Sequence, residues 1–169
     1  MEISSIDPGI RIKGKQIVLT THIGKSKTPS DAVLLVGEEH VTTFFDRDSG
    51  VIFQGDGEYE VKGTKITGFS ANGKSMYTVR LEGMSIFVGP VSGAMSMKDK
   101  LHEHDVVILL SDDVLSETVM GIFNAKVFLF YGEKAIDSMK AFEKTSPAVN
   151  KYVATKDKLP AETEFVLLG

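Results

Sequence analysis

The chain contains no cysteine, which removes disulfides, thiolate metal ligands, cysteine nucleophiles and thiol redox chemistry together. Histidine and carboxylates are left as the strong ligand types. An excess of positive charge is also missing: 19 basic residues stand against 23 acidic ones, a formal charge of −4, and neither sign gathers into a run. No polybasic surface is offered to phosphates, so nucleic acid is not expected as a partner. Long apolar runs are absent as well. The longest, such as Val106 to Leu110, fall far short of the ~20 residues that span a bilayer. The opening MEISSIDPGI shows no basic segment followed by an apolar stretch, so no membrane is expected and a cytoplasmic location is. Internal repeats, low-complexity segments and linkers are not evident.

What is present suits one globular unit. The 169 residues, 42% hydrophobic and 25% charged, match a single domain over 1–169 with a core of its own. The first half reads as short strands punctuated by turns. Arg11–Lys13 and Gln16–Thr21 flank Gly14-Lys15, Ala32–Val36 is a strand-length apolar run, and Val51–Phe53, Glu58–Lys62 and Lys65–Phe69 are broken by glycines. Ser75–Leu81 pairs with Ser85–Val88 across Glu82-Gly83, making a meander. After Pro90 the rhythm changes. Strand-like runs at Val106–Leu110, Lys126–Phe130 and Val149–Ala154 alternate with helical spacing, and Glu164–Leu168 closes the chain. Ser96–Leu101 is expected to open a helix, Ser111 or Asp112 to cap Val114–Phe123, and Glu133–Glu143 to place Ala135, Ile136, Met139 and Phe142 on one face. Periodicity alone establishes mixed α and β.

The stretch Gly55-Asp56-Gly57-Glu58-Tyr59-Glu60-Val61-Lys62-Gly63, followed by Ile66-Thr67-Gly68, is the most specific signal. With Met1-Glu2-Ile3, Arg11 to Lys15, the strand ending at Val36 and Leu159 to Glu164, it resembles a branch of the metallo-β-lactamase superfamily, the Zn-dependent or ascorbate-6-phosphate-lactonase-like hydrolases. The resemblance spans most of a chain that is shorter than such enzymes are expected to be. It implies an α/β (α+β) fold, the metallo-β-lactamase-like αββα sandwich, with two mixed β-sheets face to face and helices outside.

The same resemblance implies one or two metals held by loops at strand ends, and the sequence departs from that pattern. Where a His-x-His-x-Asp-His motif would follow Val36, the loop reads Gly37-Glu38-Glu39-His40-Val41, and of the four positions only His40 remains. Gly89-Pro90 replaces the Gly-Asp that supplies a bridging carboxylate, Phe130 replaces a histidine before Tyr131-Gly132, and Asp7-Pro8-Gly9 replaces a Gly-His-Ser pattern. A catalytic zinc needs about three protein ligands, and one imidazole does not make a site. No metal, cofactor or catalytic residue is therefore assigned. The candidate residues of the vestigial cleft are Glu38, Glu39, His40, Asp7 and Asp112.

Other constellations have plainer explanations. His102-Glu103-His104-Asp105 precedes a strand, whereas the superfamily's sites gather beyond strand exits, and it reads as a solvated turn. Asp46-Arg47-Asp48 begins like a calcium loop but lacks the distal Gly and Glu. Glu38-Glu39-His40 reads as a charged loop, Lys74-Ser75 after Asn72-Gly73 as a hairpin turn, and Ser92-Gly93 as too poor a match to a nucleophile elbow. Met76, Met84, Met95 and Met97 read as core filler. The leading expectation is a non-catalytic relative of this fold that serves binding, by self-association as a homo-oligomer or with a protein partner. The alternatives are a hydrolase whose metal site is rebuilt around Glu38, His40 and Asp112, and a module that takes a small metabolite in the emptied cleft.

Overall fold

The computed structural model describes residues 1–6, 9–21, 29–37 and 50–169. The strands of the first part are β1 (Glu2–Ser5), β2 (Ile10–Lys13), β3 (Val18–Thr20), β4 (Ala32–Leu34) and β5 (Val51–Phe53). A meander follows: β6 (Gly57–Val61), β7 (Thr64–Ala71), β8 (Lys74–Leu81) and β9 (Met84–Pro90). The remainder runs α1 (Val91–Ser96), β10 (Val106–Leu110), α2 (Glu117–Phe123), β11 (Val127–Tyr131), α3 (Ala135–Ala141), β12 (Lys151–Val153) and β13 (Glu164–Leu167).

Local chemistry accounts for the meander. The two-residue turns Lys62-Gly63, Asn72-Gly73 and Glu82-Gly83 all have positive φ at both positions. That is the I′ geometry, whose twist matches the strands it joins. Antiparallel pairing then carries β6 through β9, with Ile66 opposite Val79 and Val79 opposite Ile86. Beyond β9 the pairing turns parallel, and the sheet order is β13-β11-β10-β9-β8-β7-β6. The second sheet, β12-β1-β2-β3-β4-β5, is also mixed. Its edge strand β12 comes from late in the chain and pairs antiparallel with β1.

Alternation divides the apolar side chains between two layers. Tyr77, Val79, Ile86, Val88, Ile108 and Leu129 face the other sheet and pack with Ile3, Ile10, Ile12, Leu19 and Leu34. Met76, Phe87, Val107, Leu109, Phe128 and Phe130 face outward, under Val91 and Ala94 of α1, Val119 and Phe123 of α2, and Met139 of α3. Burial on both faces explains why β10 and β11 are nearly continuous apolar runs. The methionines at 76, 84 and 97 are buried filler as expected. Among the described residues, the helices lie against the seven-stranded sheet, and none is long and apolar enough to cross a membrane.

The helices depart from expectation in their bounds. The helix foreseen at Ser96–Leu101 begins at Val91, directly after Pro90, and Lys98–Lys100 form only a 3-10 turn. Proline's fixed φ suits the position that precedes the first helical turn. The cap of α2 is Ser116, whose Oγ accepts the Val119 N–H at 3.4 Å, and neither Ser111 nor Asp112 fills that role. In α3, Ile136 is 54% exposed; the buried face runs through Ala135, Ser138 and Met139. Ile136 lies about 100° around the helix from Ala135, too far to share that stripe.

Two tight arrangements hold the sheets. The family-like segment is a backbone clip: Tyr59 stacks on Phe53 with ring centroids 4.2 Å apart, and its hydroxyl donates to the Asp56 carbonyl at 3.1 Å. Gly68 passes so close that a Cβ there would lie 2.2 Å from the Gly55 carbonyl oxygen. Between the sheets, the buried Tyr77 hydroxyl is shared by the Phe53 carbonyl at 2.7 Å and the Leu35 carbonyl at 3.0 Å.

The segment read as a solvated turn is only partly so. His102 and Glu103 are exposed, but His104 is 4% exposed, with its ring edge-on to Phe87 and Phe123. Its Nδ1–H donates to the His102 carbonyl at 2.8 Å, since a carbonyl only accepts, and Nε2 accepts from the Thr78 hydroxyl at 3.0 Å. Burial pushes the imidazole down to about 4 from its ordinary 6.5, and the neutral ring is the form that fits.

Two measurements test these assignments. Gly68→Ala forces backbone apart and is expected to lower urea-unfolding stability by about 2–3 kcal/mol. The unfolded chain protonates His104 near 6.5 while the fold resists until about 4. Stability is thus fully present above 6.5 and falls as the pH drops toward 4, by about 3 kcal/mol in all. Urea midpoints across that range should show the slope, and His104→Phe should flatten it.

Candidate functional site

The parallel strands β9, β10 and β11 end at one rim of the molecule, where Pro90, Leu110 and Tyr131 lie in register. In α/β folds the segments leaving such strand ends carry chemistry, because they converge while the sheet holds them rigid. Here the chain leaves β10 as Ser111-Asp112-Asp113, leaves β9 into α1 through Ser92, and starts β8 with Lys74.

These three elements build one polar cluster. Asp112 Oδ1 accepts the Ser92 N–H at 3.0 Å, and Oδ2 accepts both the Ser92 hydroxyl and Lys74 Nζ, the latter at 2.8 Å. Lys74 Nζ also donates to Ser92 Oγ at 2.8 Å. Partial burial works against the Asp112 charge, but Lys74 and Ser92 outweigh it and hold the carboxyl below its usual range. Asp112 is therefore an ionised, fully engaged carboxylate. Beside it, Tyr131 is hydrogen-bonded to Thr21, and burial, with the nearby Asp112 charge, pushes the phenol up to about 12. It remains a neutral hydroxyl.

The same rim is tied to the other sheet. Gly37 and Ser75 form an antiparallel bridge, with N–O distances of 3.1 and 3.0 Å, and Ser75 is the residue after Lys74. Gly37 thus stands next to the Lys74–Asp112 pair. Of the candidate residues, Asp112 stands at the strand exits; Asp7, Glu38, Glu39 and His40 lie outside the described residues, as does most of the calcium-like stretch from Asp46. The His102–Asp105 segment stands at the opposite end of β10, where Asp105 is bound by Lys156 at 2.7 Å and by the Ser85 N–H at 2.8 Å.

The described residues do not fit a zinc centre. Pro90 and Phe130 offer no ligand at the two positions where the resemblance implies a bridging carboxylate and an imidazole, and the Asp112 oxygens are already taken. No three His, Asp or Glu side chains among the described residues are grouped to hold an ion. Lys74 and Ser92 were not foreseen as site residues. They lie 18 residues apart, with Asp112 a further 20 on, and no linear spacing announces a cluster drawn from three elements.

No family model and no curated protein matches the sequence. Solved structures do. The chain is similar to a candidate Zn-dependent hydrolase of the metallo-β-lactamase superfamily from Thermotoga maritima, at 17% identity and a TM-score of 0.73, over 99% of this chain and 98% of that one. A candidate metal-dependent hydrolase from Parabacteroides distasonis is similar at 10% identity and a TM-score of 0.57, over 80% of this chain and 84% of that one. The near-complete coverage of the first corrects the expectation that this chain is short for its kind. Two mixed sheets face to face, with helices on the outer face of one, are a metallo-β-lactamase-like fold, here with a lysine-bound carboxylate at the rim where the strands end.

Proposed function

We propose that the chain is a non-catalytic metallo-β-lactamase-fold protein that acts as a binding scaffold, by self-association or with a protein partner. One observation carries the reading: an ammonium, Lys74 Nζ, lies 2.8 Å from the Asp112 carboxylate at the strand-exit rim. A fixed ammonium neutralises the acid and holds loop and strand together, but it has no vacant coordination position in which to activate water. The rim then contributes rigidity rather than chemistry.

A second reading, a hydrolase with an atypical metal site, draws on the bridge between Gly37 and Ser75. The bridge sets Gly37, which Glu38, Glu39 and His40 follow in the sequence, next to Lys74, the partner of Asp112.

Metal analysis of the purified protein, with a panel of lactone and phosphodiester substrates, separates the two. The scaffold reading expects substoichiometric transition metal and no turnover. Stoichiometric zinc, manganese or iron that is lost in Asp112→Asn, accompanied by turnover, overturns it in favour of the second. If Lys74 is the structural cation, Lys74→Met should cost about 1–2 kcal/mol in urea unfolding, because it strands a partly buried carboxylate. Lys74→Met/Asp112→Leu should recover part of that loss. Sedimentation over a range of concentrations tests self-association directly.

A further inference from the structure

On the outer face of the seven-stranded sheet, the segment leading from α1 to β10 runs beside β7 and β8 and leaves a cleft of about 320 Å³. Its strand side presents Thr67, Phe69, Thr78 and Arg80; the facing wall is Met97, Lys100 and His102. That volume sits at the small end of ligand pockets, enough for one ring and a head group.

Several cations of the described surface, Lys65 and Lys98 among them, have no carboxylate within ion-pair distance, and two such cations meet in this cleft. Lys62, Lys74, Lys134, Lys140, Lys151 and Lys156 each meet a carboxylate within 4.0 Å. Among the described residues, Arg80 and Lys100 form no ion pair. The register makes matters worse for Arg80, since Lys65 stands directly opposite it, and like charges so placed repel. Neighbouring acids are committed elsewhere or stand farther out. Asp105 is hydrogen-bonded by Lys156 and the Ser85 N–H and feels the Arg80 charge without pairing with it, and Asp56, at the far end of the cleft, accepts from the Ser70 hydroxyl at 2.7 Å. Glu58 and Glu60 stand one strand out, opposite Thr67 and Lys65, and Glu60 does not close on Lys65.

The cleft is also amphipathic and preformed. Phe69 and Met97 supply apolar surface between its ends, and five residues of strand, about 16 Å, separate the levels of Ser70 and Arg80. Buried His104 grips both walls, through the Thr78 hydroxyl on one and the His102 carbonyl on the other. Little ordering cost remains for a ligand to meet.

We propose that this cleft binds a small organic oxyanion, a carboxylate or phosphate group held by Arg80, Lys100 and His102, with its apolar body on Phe69 and Met97. The proposal is independent of the rim cluster. It is tested by calorimetric titration of the full chain with benzoate and with phenyl phosphate, and with benzyl alcohol as the uncharged control. At least one anion should bind at submillimolar concentration and more weakly as salt is raised, while benzyl alcohol should not bind. Affinity should fall about tenfold or more in Arg80→Ala and in Lys100→Ala, and stay unchanged in Lys74→Met. Both cleft residues are exposed, so the unliganded melting temperature of either variant should match the parent. Which anion binds more tightly distinguishes a carboxylate site from a phosphate site. Failure of both anions to bind, equal binding of benzyl alcohol, or affinity indifferent to both substitutions overturns the proposal.

Discussion

The central sheet has to be covered on both faces, and the remaining features follow from that requirement. Its strands β9, β10 and β11 bury side chains in both directions, toward the other sheet and toward the helices. A strand in that position carries few polar side chains along its length, Ser85 of β9 being one. Polar and charged chemistry is thereby expelled to the strand ends and the outer strands. The rim cluster of Lys74, Ser92 and Asp112 and the cleft beside Arg80 occupy those two kinds of place.

At the rim, the decisive quantity is charge balance. A partly buried carboxylate is costly unless a cation or several donors accompany it. Asp112 receives three hydrogen bonds from two residues, one of them an ammonium. The carboxylate at this rim is neutralised by a side chain of the same chain, and the nearby Tyr131 phenol stays protonated because burial disfavours its anion. The interactions join β8, α1 and the exit of β10.

Beside Arg80 the balance is reversed. Positive groups converge while the acids near them are already bound, and His104 braces the two walls through one neutral ring. The imidazole is neutral for the same reason that β10 is apolar: Phe87 and Phe123 enclose it away from water. One aromatic packing unit thus encloses the ring that links the two walls of the cleft.

The meander was legible before any coordinates, because Lys62-Gly63, Asn72-Gly73 and Glu82-Gly83 are turn-specific and the strands between them alternate with period two. The apolar runs of β10 and β11 read as strands alternating with helical spacing in the same local way. The helix bounds were less legible, since caps such as Ser116 depend on where the preceding loop is anchored. Placement of β12 at the edge beside β1, and the meeting of Lys74, Ser92 and Asp112, were decided only by the tertiary structure. So was the burial of His104, whose neighbours in the chain are polar and whose neighbours in space are aromatic. Local backbone preference and hydrophobic period are written in consecutive residues. Contacts between residues 18 to 151 positions apart, from Lys74 with Ser92 to Glu2 with Val153, are selected by the packing of whole sheets, and no stretch of sequence encodes them alone.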